Sequence, residues 1–268
     1  VQDGLSLHLS STYNVYMVVM VRYWFFAAFV ITISAKQVGG IRNAARTHQP
    51  YLQGFRGVLL ATEICVMVTG FTYLGLVESL AIFSSYTLIV AAMSGPILGE
   101  IVGWRRWMAI FAGLCGVLII LKPGMGVFSV YAIIPLIAAS MFALYSLLTR
   151  YVARQDSTAT SFFWTGVTGC IVMTFVGMFH LEDMIPADWL LMLCLCFTGA
   201  TGHWLLIRCY EVAEASAVQP FTYLQLVFGA AIGVMVFGEV IETNVAVGAV
   251  LVVAAGLFTL WRARVSVT

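Results

Sequence analysis

Nine long apolar runs fill almost the whole chain, at about 12–35, 54–75, 78–99, 104–122, 127–150, 158–180, 187–209, 214–237 and 243–262, and only short charged or Pro/Gly-containing connectors separate them. A helix needs about 20 mostly apolar residues, at about 1.5 Å each, to cross the hydrocarbon core of a bilayer. Each run meets that length. Lipid offers no partners to backbone N–H and C=O groups, so such runs must close their own hydrogen bonds as helices. Composition agrees: the 268 residues are 62% hydrophobic and 9% charged, against about 25% charged in soluble domains. No length remains for a separate soluble domain. A net charge of +1, without a long basic run, gives nucleic acid nothing to bind.

The opening residues 1–9 suit a helix but are too short to cross. They read as the end of a tenth helix whose beginning is missing. The six cysteines, Cys65, Cys115, Cys170, Cys194, Cys196 and Cys209, lie inside apolar runs without metal-ligand spacing, so they read as small buried hydrophobes and no metal is expected. Nothing in the opening residues resembles a cleavable signal.

Orientation follows from Lys and Arg, which short cytoplasmic connections retain. Alternate connectors hold Lys36, Arg42, Arg46 and Arg56, then Arg105 and Arg106, then Arg150 and Arg154, then Arg208, then Arg262 and Arg264, which is 11 of the 13 cations. The other side has Lys122 and collects Glu78, Glu182, Asp183, Asp188, Glu239 and Glu242. Both termini are therefore expected on the cytoplasmic side.

Two stretches repeat. Leu76-Val77-Glu78-Ser79-Leu80-Ala81 leads to Leu98-Gly99-Glu100, and Val212-Ala213-Glu214-Ala215-Ser216-Ala217 leads to Phe237-Gly238-Glu239. One copy starts outside and the other inside, so halves 1–124 and 125–268 have opposite topology, the plan of many secondary transporters. With ten helices, the two GE motifs and a Gly-rich fifth helix ending in Lys122-Pro123-Gly124, the chain resembles the EamA branch of the drug/metabolite transporter superfamily. The resemblance implies an all-α carrier of ten transmembrane helices in the bacterial inner membrane, often an exporter of amino acids or other small metabolites, with a central cavity between the halves.

Polar groups inside the hydrocarbon are costly and point to function. Arg22 and Glu63 lie at similar depths in the second and third helices, as a gate or coupling pair or as a structural ion pair. His203, the one histidine well inside a run, and Trp164 at a similar depth are candidate cavity residues; the imidazole either meets substrate or proton, or packs beside Trp204. Counting from the repeated glutamates pairs Tyr86 with Thr222 and Thr87 with Tyr223. Around them, Gln219 and Gln225 join Tyr86 and Tyr223 as candidate cavity residues, while Ser84, Ser85 and Thr222 are expected to bond their own backbone. Pro96, Pro135 and Pro220 interrupt helices, and paired glycines permit close packing.

No P-loop is present, so ATP hydrolysis is not expected, and no intramembrane catalytic constellation argues for an enzyme. A polyanionic substrate would want several cavity cations, whereas Arg22 is the deep one. The expected partners are the lipid bilayer and a small neutral or zwitterionic solute, amino acids foremost; the alternatives are a carrier of another metabolite or drug-like solute, such as a nucleoside-type or vitamin-like compound, and after it a channel or intramembrane enzyme. No cofactor is expected, and the chain is expected to be a monomer or homodimer. Proton antiport and facilitated diffusion both remain open.

Overall fold

The structure, a computed structural model, describes residues 1–36, 40–99, 103–121, 130–213 and 215–265, without the side chains at 106, 121, 215–222, 259, 260 and 262–265. Among the described residues every regular element is helical: α1 (Gln2–Thr12), α2 (Val15–Lys36), α3 (Gly40–Ala45), α4 (Pro50–Leu74), α5 (Leu76–Phe83), α6 (Tyr86–Leu98), α7 (Trp104–Leu121), α8 (Ile133–Val152), α9 (Thr158–Gly177), α10 (Pro186–Val212), α11 (Ala215–Phe237) and α12 (Thr243–Val265). Six stretches are long and apolar enough to cross a membrane, and three shorter apolar helices accompany them. The Glu100, Lys122, Pro123, Gly124 and Glu214 of the repeat motifs lie outside the described residues.

The expected span at 78–99 falls in one apolar stretch, Leu76–Leu98, long enough to cross a membrane; within it the helix is interrupted at Ser84 and Ser85, between α5 and α6. No proline causes this break. The Ser84 hydroxyl donates to the Ala81 carbonyl at 2.6 Å and Thr87 Oγ1 to the Ser84 carbonyl at 2.9 Å, while the backbone tightens to i→i−3 bonds from Ser85, Thr87 and Leu88. Short hydroxyl side chains compete with the helical ladder in this way.

The chain forms two compact units, each drawing on both sequence halves. One, the Arg22 unit, comprises Gln2–Thr69 and Leu148–Val212. Within it α2 packs along α9 and against α10, and α1 lies against α10. Small residues on α9 permit the approach: a Cβ at Gly177 would stand 2.6 Å from the Met20 Cβ, and one at Gly169 would overlap the Tyr23 ring. The Tyr13 hydroxyl donates to Asp188 at 2.8 Å, tying the α1–α2 turn to the start of α10.

The other, the Tyr223 unit, contains Gly70–Leu147 and Ala213–Thr268. Its α7 and α12 run together along much of their length, where a Cβ on Gly116 would lie 2.8 Å from the Gly248 carbonyl. Gly238 turns the chain in the left-handed region, φ +67°. The turn sends Glu239 back to the N-terminus of α5, where its two oxygens accept from the Leu76 and Val77 N–H groups at 2.6 and 2.8 Å. Gly75 precedes that helix at φ +80°, and a Cβ there would come within 2.9 Å of Glu239 Oε1. The GE motif of the second half is thus a carboxylate cap on orphan helix donors.

Candidate functional site

In the Tyr223 unit the α5–α6 break gathers the polar residues that apolar helices otherwise avoid. Tyr86, the first residue of α6, is 3% exposed. It meets Phe83 at 5.1 Å between ring centroids and Phe142 edge-on at 4.9 Å. Tyr223 from α11 is 5% exposed, and its hydroxyl stands 2.5 Å from Thr87 Oγ1. Leu80, Phe83, Ser84, Tyr86, Tyr223 and Gln225 border one narrow cleft. Among the described residues the buried Ser79 and Ser85 hydroxyls have no hydrogen-bond partner. Three expected cavity residues, Tyr86, Tyr223 and Gln225, therefore converge. The side chain of the fourth, Gln219, lies outside the described residues.

In the Arg22 unit the structure joins two residues that are 181 positions apart. An Arg22 terminal nitrogen lies 3.3 Å from His203 Nε2. A guanidinium only donates, so Nε2 accepts and the ring proton resides on Nδ1. The imidazole also stacks on Phe26, 6.1 Å between centroids and 9° from parallel. Gly199, one turn before His203, leaves the room: a Cβ there would come within 2.8 Å of Arg22 Nε. Arg22 and Glu63 are both buried, at 5% and 4% exposed, and each feels the other's charge. Their direct ion pair is not formed: among the described residues Glu63 has no ion pair within 4.0 Å, and Arg22 turns to His203 instead. Trp164 is half-buried on α9, with its indole N–H donating to the Ala45 carbonyl at 3.1 Å.

Sequence reasoning missed one cluster. Arg56, expected in a connector, lies inside α4 and is fully buried at 0% exposed. It donates to Thr149 Oγ1 at 3.0 Å, Gln53 Oε1 at 2.9 Å, the Ser161 carbonyl at 2.6 Å and Thr165 Oγ1 at 2.8 Å. Gln53 in turn donates to Asp156 at 2.9 Å. Asp156 also accepts from the Thr47 hydroxyl and from the His48 N–H at 3.1 Å, with the His48 ring at 3.3 Å. Burial works against the charge of Asp156, but the donors from Gln53, Thr47 and His48 outweigh it and hold the carboxyl below its usual range. Pro50, suited to the first position of a helix, and the Gln53/Arg56 spacing of three residues were the available signals.

Comparison with known proteins supplies the class. The EamA-like transporter family model matches residues 129–261. The chain is 23% identical to the S-adenosylmethionine uptake transporter of Rickettsia prowazekii, over 100% of this chain and 90% of the relative. It is 28% identical to the riboflavin transporter of Vibrio cholerae, over 89% and 81%. With the pseudopaline exporter CntI of Pseudomonas aeruginosa it shares 24% over 75% and 71%. A crystal structure of a protein 15% identical covers 98% of this chain and 94% of that one with a TM-score of 0.71, and it shares the fold. The chain is a multi-pass membrane transporter of small metabolites, and not an enzyme. Over residues 129–261 it is similar to the EamA-like transporter family.

Proposed function

We propose that the protein is a secondary carrier of a small neutral or zwitterionic metabolite, amino acids and their derivatives first, working by alternating access in a bacterial inner membrane with its C-terminus in the cytoplasm. The observation that carries this reading is the cleft at the α5–α6 break, where Tyr86 from one sequence half meets Tyr223 and Gln225 from the other. Discontinuous helices with polar groups at the break are the usual binding elements of such carriers. The cleft offers rings, hydroxyls and an amide but no fixed charge, which suits a solute with little net charge. Thr87 and Tyr223 correspond in the repeat count, and their hydroxyls meet; a two-fold axis passing between them would bring such a pair together, as inverted halves at 1–124 and 125–268 require. S-adenosylmethionine, for which one relative is named, is an amino-acid derivative with an aromatic base, though its sulfonium gives it one net positive charge. Relatives are named for uptake and for export, and a carrier of this kind serves either direction as the gradients dictate.

The test is ligand-induced stabilisation of the purified protein. Amino acids, S-adenosylmethionine and riboflavin are screened for a rise in melting temperature. A ligand at 100 times its Kd adds about 2.7 kcal/mol, a shift of several degrees. A shift with a zwitterionic solute that Tyr223→Phe and Gln225→Ala both reduce is expected. Stabilisation by polyanions alone would overturn the proposed class.

A further inference from the structure

Glu63 sits in the middle of α4, 4% exposed, with no hydrogen bond or ion pair among the described residues. Few positions are less favourable for a carboxylate, since a buried charge without donors costs several kcal/mol. The charges that face it are Arg22 from α2 and Asp3 from α1. The α9 helix, which α4 meets at Cys65 and Met173, has no Asp, Glu, Lys, Arg or His. From α10, His203 accepts from Arg22 through its Nε2 and so adds no positive charge while that bond is made.

Two events can relieve Glu63: it takes up a proton, or it draws the guanidinium away from His203. Arg22 is permanently charged, so it always has one of two partners to choose between. The neutral imidazole suffices while Glu63 is protonated. Once Glu63 ionises, its carboxylate is the stronger acceptor. Asp3 adds a second carboxyl whose negative charge opposes that of Glu63.

We infer that Glu63 is a proton-binding site coupled to transport, with Arg22 moving between His203 and Glu63 as the proton leaves. The proton enters the carboxylate from water at one face of the membrane and returns to water at the other, so no further reactant is needed. This deepens the proposed carrier function and rests on it.

The test uses the full chain in proteoliposomes, with a solute chosen by counterflow. With one-for-one coupling, a gradient of one pH unit drives about tenfold accumulation, and a sodium gradient at equal pH drives none. Glu63→Gln is expected to bring the ratio of flux with and without the pH gradient to one, whatever rate remains. Wild-type counterflow indifferent to pH, accumulation driven by sodium, or a Glu63→Gln protein that still responds to pH overturns the inference while leaving the carrier reading intact. Absence of counterflow with every solute overturns both.

A second measurement needs neither solute nor variant. Dicyclohexylcarbodiimide adds to a protonated carboxyl in apolar surroundings, the carboxyl proton passing to a carbodiimide nitrogen, and leaves an acylurea heavier by the whole reagent. Mass spectrometry is expected to find that adduct on Glu63 near neutral pH and to see it fade as the medium becomes alkaline. No adduct on Glu63 between about pH 6 and 9 overturns the inference.

Discussion

Removing the Glu239 carboxylate should unfasten the start of α5. Its two oxygens accept from the Leu76 and Val77 N–H groups at 2.6 and 2.8 Å, and a hydrogen bond to a charged group contributes roughly 1.5–3 kcal/mol. The favourable position of an anion at a helix N-terminus adds about 0.3–1 kcal/mol. Glu239 is half-buried, so solvent replaces part of what is lost, and Glu239→Ala should cost roughly 2–4 kcal/mol. Glu239→Gln keeps one acceptor but turns an N–H₂ toward a backbone N–H, and should cost about half as much. For a chain of this size each kcal/mol lowers the melting temperature by about 2–4 °C. Thermal unfolding in detergent micelles, followed by tryptophan emission, should show a fall of roughly 4–16 °C for Ala. Gly75→Ala tests the same contact from the other side, because its Cβ would stand 2.9 Å from Oε1. Part of its cost is left-handed backbone, about 1–2 kcal/mol, and the rest is displacement of the carboxylate. In the Glu239→Ala background only the backbone part remains, so the two costs should sum to more than the double variant shows. A melting temperature for Glu239→Ala within a degree of wild type, or strict additivity of the two changes, would refute the cap.

Asp156 should set the acid limb of stability. Its carboxyl is held below the usual range by the Gln53, Thr47 and His48 donors acting against burial. The stabilisation is therefore complete above the unfolded value of about 3.9 and is lost as the pH falls through the lower folded value; unfolding followed from pH 7 to 2 should lose this step in Asp156→Asn. Gly256→Ala should cost roughly 1–3 kcal/mol, because the added Cβ overlaps the Tyr223 ring and hydroxyl. Tyr223→Phe in that background should recover part of the loss, and equal melting temperatures for the single and double variants would contradict the overlap.

The positions of the helices were legible because lipid leaves a chain one means of satisfying its backbone. The run at 243–262 became α12 at Thr243–Val265, and that at 187–209 became α10 at Pro186–Val212. The break at Ser84–Ser85 was hidden, since hydropathy treats serine as neutral while its hydroxyl competes with the backbone at a single turn. Arg56 was misplaced for a related reason: a cation near the edge of an apolar run reads as a connector, yet Pro50 had already begun the helix and the four acceptors of Gln53, Thr149, Ser161 and Thr165 surround the side chain. Tyr86, Tyr223 and Gln225 were found together because the repeat relates their helices. Arg22 and His203 were each conspicuous alone, but only packing of α2 on α10 brings them into contact. The Phe237-Gly238-Glu239 motif was visible as a pattern, and its reason emerged when the turn at Gly238 aimed the carboxylate at α5.

Counterflow in proteoliposomes tests the carrier function most directly. Vesicles loaded with an excess of unlabelled amino acid or S-adenosylmethionine should draw in the labelled solute transiently, with a rate that saturates and that Tyr223→Phe lowers. Flux rising in proportion to concentration without saturation, or equal flux in vesicles lacking the protein, would contradict a carrier.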